Sequence, residues 1–141
     1  MIDEKDWKII KILLRNGRAT YTEMAKELNL TEAAARKRVK RLENMGIIKG
    51  YRAIVDWRKL GYNTISLTGI DTEPEALFEV AKILKEKEWV ISLSLTTGDH
   101  MLMAEIIARD NQELMKILEE IGKIPGVKKI CPAIILDVLK D

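Results

Sequence analysis

The chain has 141 residues, 47% hydrophobic and 33% charged, the balance of one globular domain or two very small ones. No apolar run approaches the roughly 20 residues of a membrane-spanning helix. The single cysteine, Cys131, and the single histidine, His100, exclude an internal disulfide, a cysteine-based zinc cluster and a histidine-rich metal site. The net charge of +2 conceals a split, with 15 Lys/Arg against 8 Asp/Glu over residues 1–60 (net +7) and 9 against 14 over residues 61–141 (net −5). A basic module joined to an acidic one is expected, with any polyanionic partner on the first.

The N-terminus, Met1-Ile2-Asp3-Glu4-Lys5-Asp6, is charged from the start and lacks a signal-peptide apolar stretch, so the expected setting is intracellular and cytoplasmic. Asp3 caps a first helix, with Asp6 in its first turn. Trp7, Ile10, Leu13 and Leu14 supply an apolar stripe, and Asn16-Gly17 a stop. Thr20-Tyr21-Thr22-Glu23 has the spacing of a capping box. The short helix it opens keeps Met24, Ala25 and Leu28 inward and ends at Asn29. Thr31 caps a third helix whose inward face is Ala35, Val39 and Leu42 and whose end is Gly46.

Two short helices joined by so tight a turn, with a third before them, make a tri-helical helix-turn-helix unit. Arg36, Lys37, Arg38, Lys40 and Arg41 fall within six residues of its third helix. Such a cluster suits phosphate neutralisation, and the small Ala33 near the helix start permits close approach to base edges. Tyr21 and Thr22, opening the second helix, and Thr31, opening the third, complete the expected DNA-facing set. Solvation alone would also account for a cationic face, and Tyr21 and Thr22 can equally pack or cap.

Gly46 to Val55 is apolar and β-branched, and reads as a strand that pairs with another chain or with the second module, or as a wing. Tyr62–Ile70 then alternates as a strand with Ile65 and Leu67 on one face. Pro74 opens a helix carrying Leu77, Val80, Ala81 and Leu84. Trp89–Thr96 and Met101–Ala108 are strands flanking Thr97-Gly98-Asp99-His100. A helix from Asn111 carries Leu114, Ile117, Leu118 and Ile121, and a last strand runs from Val127 to about Leu139, interrupted at Pro132. The order β-α-β-β-α-β is that of a ferredoxin-like unit, so the fold class is α+β. Its helix-free sheet face carries apolar residues and is expected to meet another subunit. The resulting domain division is 1–50, a linker strand and hinge at 51–61, and 62–141. No catalytic constellation, metal spacing or phosphate loop is evident, and His100 beside Asp99 reads as a polar hairpin turn.

The chain resembles the Lrp/AsnC, or feast/famine, transcription regulators of bacteria and archaea. The likeness rests on Asp3–Asp6 with Ile9-Ile10, Leu28–Thr31, Arg36–Glu43, Gly46-Ile47-Ile48-Lys49-Gly50-Tyr51 and Thr97–His100, and it spans essentially the whole length. The resemblance implies a non-enzymatic regulator of double-stranded DNA without a cofactor. It implies a homodimer joined through linker strands and C-terminal sheets, and an octamer or other assembly of dimers. A small effector, commonly an amino acid, would bind between dimers, placing Thr97, Gly98, Asp99, His100 and Met101 in the effector loop. Many members read Gly-x-x-Asp there, and this chain has Met101 where the acid would stand. Two alternatives share the architecture or the charge: a tetrapyrrole decarboxylase relying on His100, and a sequence-indifferent architectural DNA-binding protein.

Overall fold

The computed structural model describes residues 1–141. It divides into two compact units, Met1–Ile54 and Val55–Asp141. No helix is long and apolar enough to cross a membrane.

Three helices build the first unit: α1 (Glu4–Arg15), α2 (Tyr21–Leu28) and α3 (Glu32–Asn44). Each starts on a side chain that accepts an otherwise free amide: Asp3 from Asp6, Thr20 from Glu23 and Thr31 from Ala34. Asn29 closes α2 in the left-handed region at φ 53°, a conformation its short polar side chain tolerates. Only Leu30 separates that residue from the Thr31 cap, which forces the sharp turn into α3.

The core of this unit joins Met24, Ala25 and Leu28 of α2 and Ala35, Val39 and Leu42 of α3 to α1. On α1 the inward face differs from the expected stripe. Trp7 is 57% and Leu14 77% exposed, whereas Ile9, Ile12 and Asp6 are buried. Six apolar residues crowd positions 7 to 14, so their periodicity alone does not select a face. The choice is made by Asp6, an acid that a hydrophobic pattern ignores and that faces cations on α3.

Residues 47–56 form no strand. The expected linker strand or wing is therefore absent from the single chain, and Ile47, Tyr51, Ile54 and Val55 are exposed. A strand exists only where its amides find a partner, and one subunit supplies none here. A 3₁₀ turn at Trp57–Leu60, capped by Asp56, follows and ends at Gly61.

The second unit runs β1 (Thr64–Thr72), a 3₁₀ turn at Pro74–Ala76, α4 (Leu77–Lys85), β2 (Val90–Leu95), β3 (Leu102–Ala108), α5 (Asn111–Gly122) and β4 (Val127–Ile134). The antiparallel sheet has the order β2-β3-β1-β4. β4 stops at Ile134, short of the expected Leu139, and Pro132 lies within its ladder. An edge strand accommodates a missing amide, because one side of its backbone needs no partner.

Central strand β1 alternates as expected, and its register assigns the two faces. Thr68 opposes Ala104 and Ser66 opposes Ile106, both core residues beneath the helices. Hydroxyl residues thus point at the helices, while Ile65 and Leu67 take the helix-free face. The hydroxyls are satisfied: Ser66 Oγ lies 2.7 Å from Thr68 Oγ1, and Thr64 donates to Asn111 Oδ1 at 3.0 Å. No buried side-chain polar atom lacks a partner, so the cost of burying these groups is met. Ile70, Val80, Leu84, Leu102, Ile106, Leu114, Ile117 and Ile121 supply the apolar contact around them.

Gly126 shows how tightly the turns close. It has φ +93°, and a Cβ there would meet Ala76 Cβ at 2.2 Å. Gly126→Ala is expected to lower the urea midpoint by the equivalent of about 1–3 kcal/mol. Gly50→Ala, at an open position without a positive φ, should leave it nearly unchanged.

Candidate functional site

At roughly 100° per residue, Ala33, Arg36, Lys37 and Lys40 form one stripe of α3, opposite Ala35, Val39 and Leu42. All four are exposed. Lys37 and Lys40 extend freely into solvent, with no acid within ion-pair distance. Arg36 lies 5.2 Å from the Tyr21 ring centroid and 3.3 Å from Glu32. Glu32 also accepts from Thr22 Oγ1 at 3.1 Å. Tyr21 and Thr22 therefore tie the start of α2 to the first turns of α3, and Thr31 caps α3 through the Ala34 amide.

Arg38 and Arg41, expected among the outward cations, lie on the flank facing α1. Arg38 Nη1 donates to both oxygens of Asp3 at 2.7 Å and to Asp6 Oδ1 at 3.0 Å. Arg41 Nη2 donates to Asp6 Oδ2 at 2.5 Å and to the Met1 carbonyl at 2.9 Å. Asp6 is fully buried, which explains its two guanidinium partners: a carboxylate removed from water needs compensating charge. The Arg38 hydrogen bond holds Asp3 down to about 2, and Arg38 itself is raised by the same bond. Beyond α3, Tyr51 donates to Glu43 Oε2 at 3.1 Å, and desolvation, then Glu43, pushes its phenol up to about 12.

In the second unit the segment Thr97–Met101 joins β2 to β3. Thr97, Gly98 and Asp99 are exposed, with Gly98 at φ +97° making the turn. His100 and Met101 instead fold onto the sheet. His100 Nδ1 donates to Asp71 Oδ2 at 3.0 Å, the Met101 amide donates to Asp71 Oδ1 at 3.0 Å, and Thr96 Oγ1 donates to the His100 carbonyl at 2.8 Å. The imidazole occupies the space above Gly69, where a Cβ would lie 2.3 Å from the ring. His100 thus takes its acid from β1, 29 residues away, and not from neighbouring Asp99. Sequence reasoning missed Asp71. The signal was a lone acid on a strand with a glycine two residues before it, legible only with the strand register in hand. The His100 hydrogen bond, with the Met101 amide, lowers the Asp71 pKa against its partial burial.

A family model described as winged helix-turn-helix DNA-binding matches residues 2–49, and the Lrp/AsnC ligand binding domain model matches residues 66–141. The HTH-type transcriptional regulators LrpA of Pyrococcus horikoshii and Pyrococcus abyssi are 55% and 53% identical over 141 residues, 99% of this chain and 100% of each relative. The chain belongs to the Lrp/AsnC family. The solved structure of Escherichia coli AsnC, at 25% identity, matches with a TM-score of 0.87 over 100% of this chain and 96% of that one. Membership makes the chain an α+β helix-turn-helix transcriptional regulator with a ligand-binding domain, and sets aside the decarboxylase alternative.

Asp71 offers a pH test. A carboxyl whose folded pKa lies below its unfolded value stabilises above the unfolded value, near 3.8, and loses that contribution as pH falls through the folded one. Asp71→Asn is therefore expected to lower the thermal midpoint at neutral pH. Its deficit relative to the parent should shrink as unfolding is followed into acid below about pH 4.

Proposed function

We propose that this regulator reads double-stranded DNA by sequence with α3 and that an amino acid bound at the β2–β3 loop shifts its assembly or affinity. The observation carrying the DNA reading is the exposed stripe Ala33, Arg36, Lys37 and Lys40, set opposite the core of a capped helix that a tight turn makes prominent. Small Ala33 near the N-terminal end suits base approach, and the cations suit phosphate. Tyr21, Thr22 and Thr31 belong to the proposed face through the side of α2 and α3 that they organise. Arg38 and Arg41 support that face from behind.

For the effector, the exposed tip Thr97-Gly98-Asp99 offers turn amides to a carboxylate and the Asp99 side chain to an ammonium. His100 and Met101 hold the tip in place through Asp71. Two subunits are proposed to pair through the exposed linker, Tyr51, Ile54 and Val55, and through the helix-free sheet face around Leu67. Both present apolar surface that water does not favour, and dimers then join into an octamer or another closed assembly.

Selection of bound duplexes from random DNA tests the first part. A shared motif is expected, and Lys37→Ala combined with Lys40→Ala should weaken binding to it about tenfold or more. A recovered pool without enrichment would replace sequence reading by sequence-indifferent wrapping. Calorimetry with a panel of amino acids tests the second part. One member should bind, and Asp99→Ala should abolish that heat; an untouched titration removes Asp99 from the site.

A further inference from the structure

We propose that Asp6 is a positioning residue for the recognition helix: it withdraws Arg38 and Arg41 from the DNA-binding charge and uses them to fix α3 against α1. On this assignment Lys37, Lys40 and Arg36, whose pair with Glu32 is solvent-exposed and not buried like that of Asp6, are the cations of α3 that reach phosphate. The inference rests on the reading of α3 as the DNA face and goes beyond it by dividing one cationic run into two roles.

The division follows from geometry. Asp6 has no exposed surface, and its two oxygens are taken by different guanidinium groups one helical turn apart on α3. Asp3 covers the remaining side of Arg38, and the Met1 carbonyl takes a second hydrogen bond from Arg41. Two acids from the start of α1 thus neutralise two of the five cations. The bonds are directional, so they also set the rotation of α3 about its axis. That rotation decides which stripe faces outward. A guanidinium already neutralised by an internal carboxylate displaces no condensed cation from DNA phosphate on binding.

The test is the salt dependence of binding to a fluorescein-labelled duplex of random sequence, read by anisotropy over a potassium chloride series. Lys37→Gln is expected to flatten the log–log slope by about 0.9 for each subunit engaged. Arg41→Gln is expected to leave the slope where it is while lowering the thermal midpoint. Asp6→Asn should steepen the slope by freeing Arg41, and adding Arg41→Gln to it should remove the gain, a behaviour that a purely structural Asp6 would not show. A slope that Arg41→Gln flattens as Lys37→Gln does overturns the proposal. A slope that neither variant moves overturns the DNA face itself, and the present assignment with it. If Asp6→Asn fails to fold, Arg38→Gln joins Arg41→Gln in the comparison, and an unchanged slope in both sustains the assignment.

Discussion

A carboxylate with no access to water lies between α1 and α3, and the packing of those two helices answers what it requires. Desolvating an ion costs several kcal/mol even after relaxation, and the cost is recovered only with well-placed opposite charge. Asp6 recovers it from Arg38 and Arg41. Removing one partner from such an arrangement typically costs about 3–5 kcal/mol, comparable to the whole stability of a small domain. Hydrophobic contact through Ile9, Ile12, Met24 and Leu42 holds the helices together, but it is non-directional and leaves the choice of helix face to shape alone. The ionic contact is directional, and it selects one rotation of α1 and one of α3.

The second unit repeats the device in a milder form. Asp71 lies on its first strand, and its two oxygens bind the His100 ring and the Met101 amide, so one side chain fixes both the imidazole and the backbone at the base of the β2–β3 turn. Gly69 clears the space that the ring occupies. In both units an acid on an early element immobilises a later segment whose exposed part carries the proposed function. The stabilised part and the exposed part are adjacent in sequence: Arg38 and Arg41 beside Lys37 and Lys40, His100 and Met101 beside Gly98 and Asp99.

That adjacency explains which features were legible in the sequence. Caps depend on residues three apart, so Asp3, Thr20 and Thr31 were readable, and so were the inward faces of α2 and α3, where periodicity is unambiguous. The order of strands and helices followed from changes of period. The structure departs from the sequence pattern where a polar group decides the outcome over a long separation. The face of α1 follows Asp6 and not the apolar stripe, and Arg38 and Arg41 pair with acids 32 to 35 residues earlier. His100 pairs with Asp71, an acid 29 residues earlier that no local pattern marks. On β1 the alternation of Ile65 and Leu67 marked a real strand, yet its buried side is lined with hydroxyls that bond one another. The linker failed for a different reason: its apolar residues predict pairing, and pairing requires a partner outside the single chain.

The division of charge on α3 bears on how such a regulator would respond to a small molecule. With three of five cations available, a single subunit would show a salt slope of only roughly −2.7 from this helix, a small electrostatic contribution. Two linked subunits double that number, and linkage converts the second engagement into an intramolecular one. On the proposed function, affinity for DNA would then depend steeply on assembly, and a ligand that binds one assembly better than another would shift DNA occupancy without touching α3. On the proposed division of charge, internal neutralisation of Arg38 and Arg41 would do more than fix α3 against α1. By weakening each DNA-binding unit alone, it would make the state of the acidic unit decide whether the basic one engages.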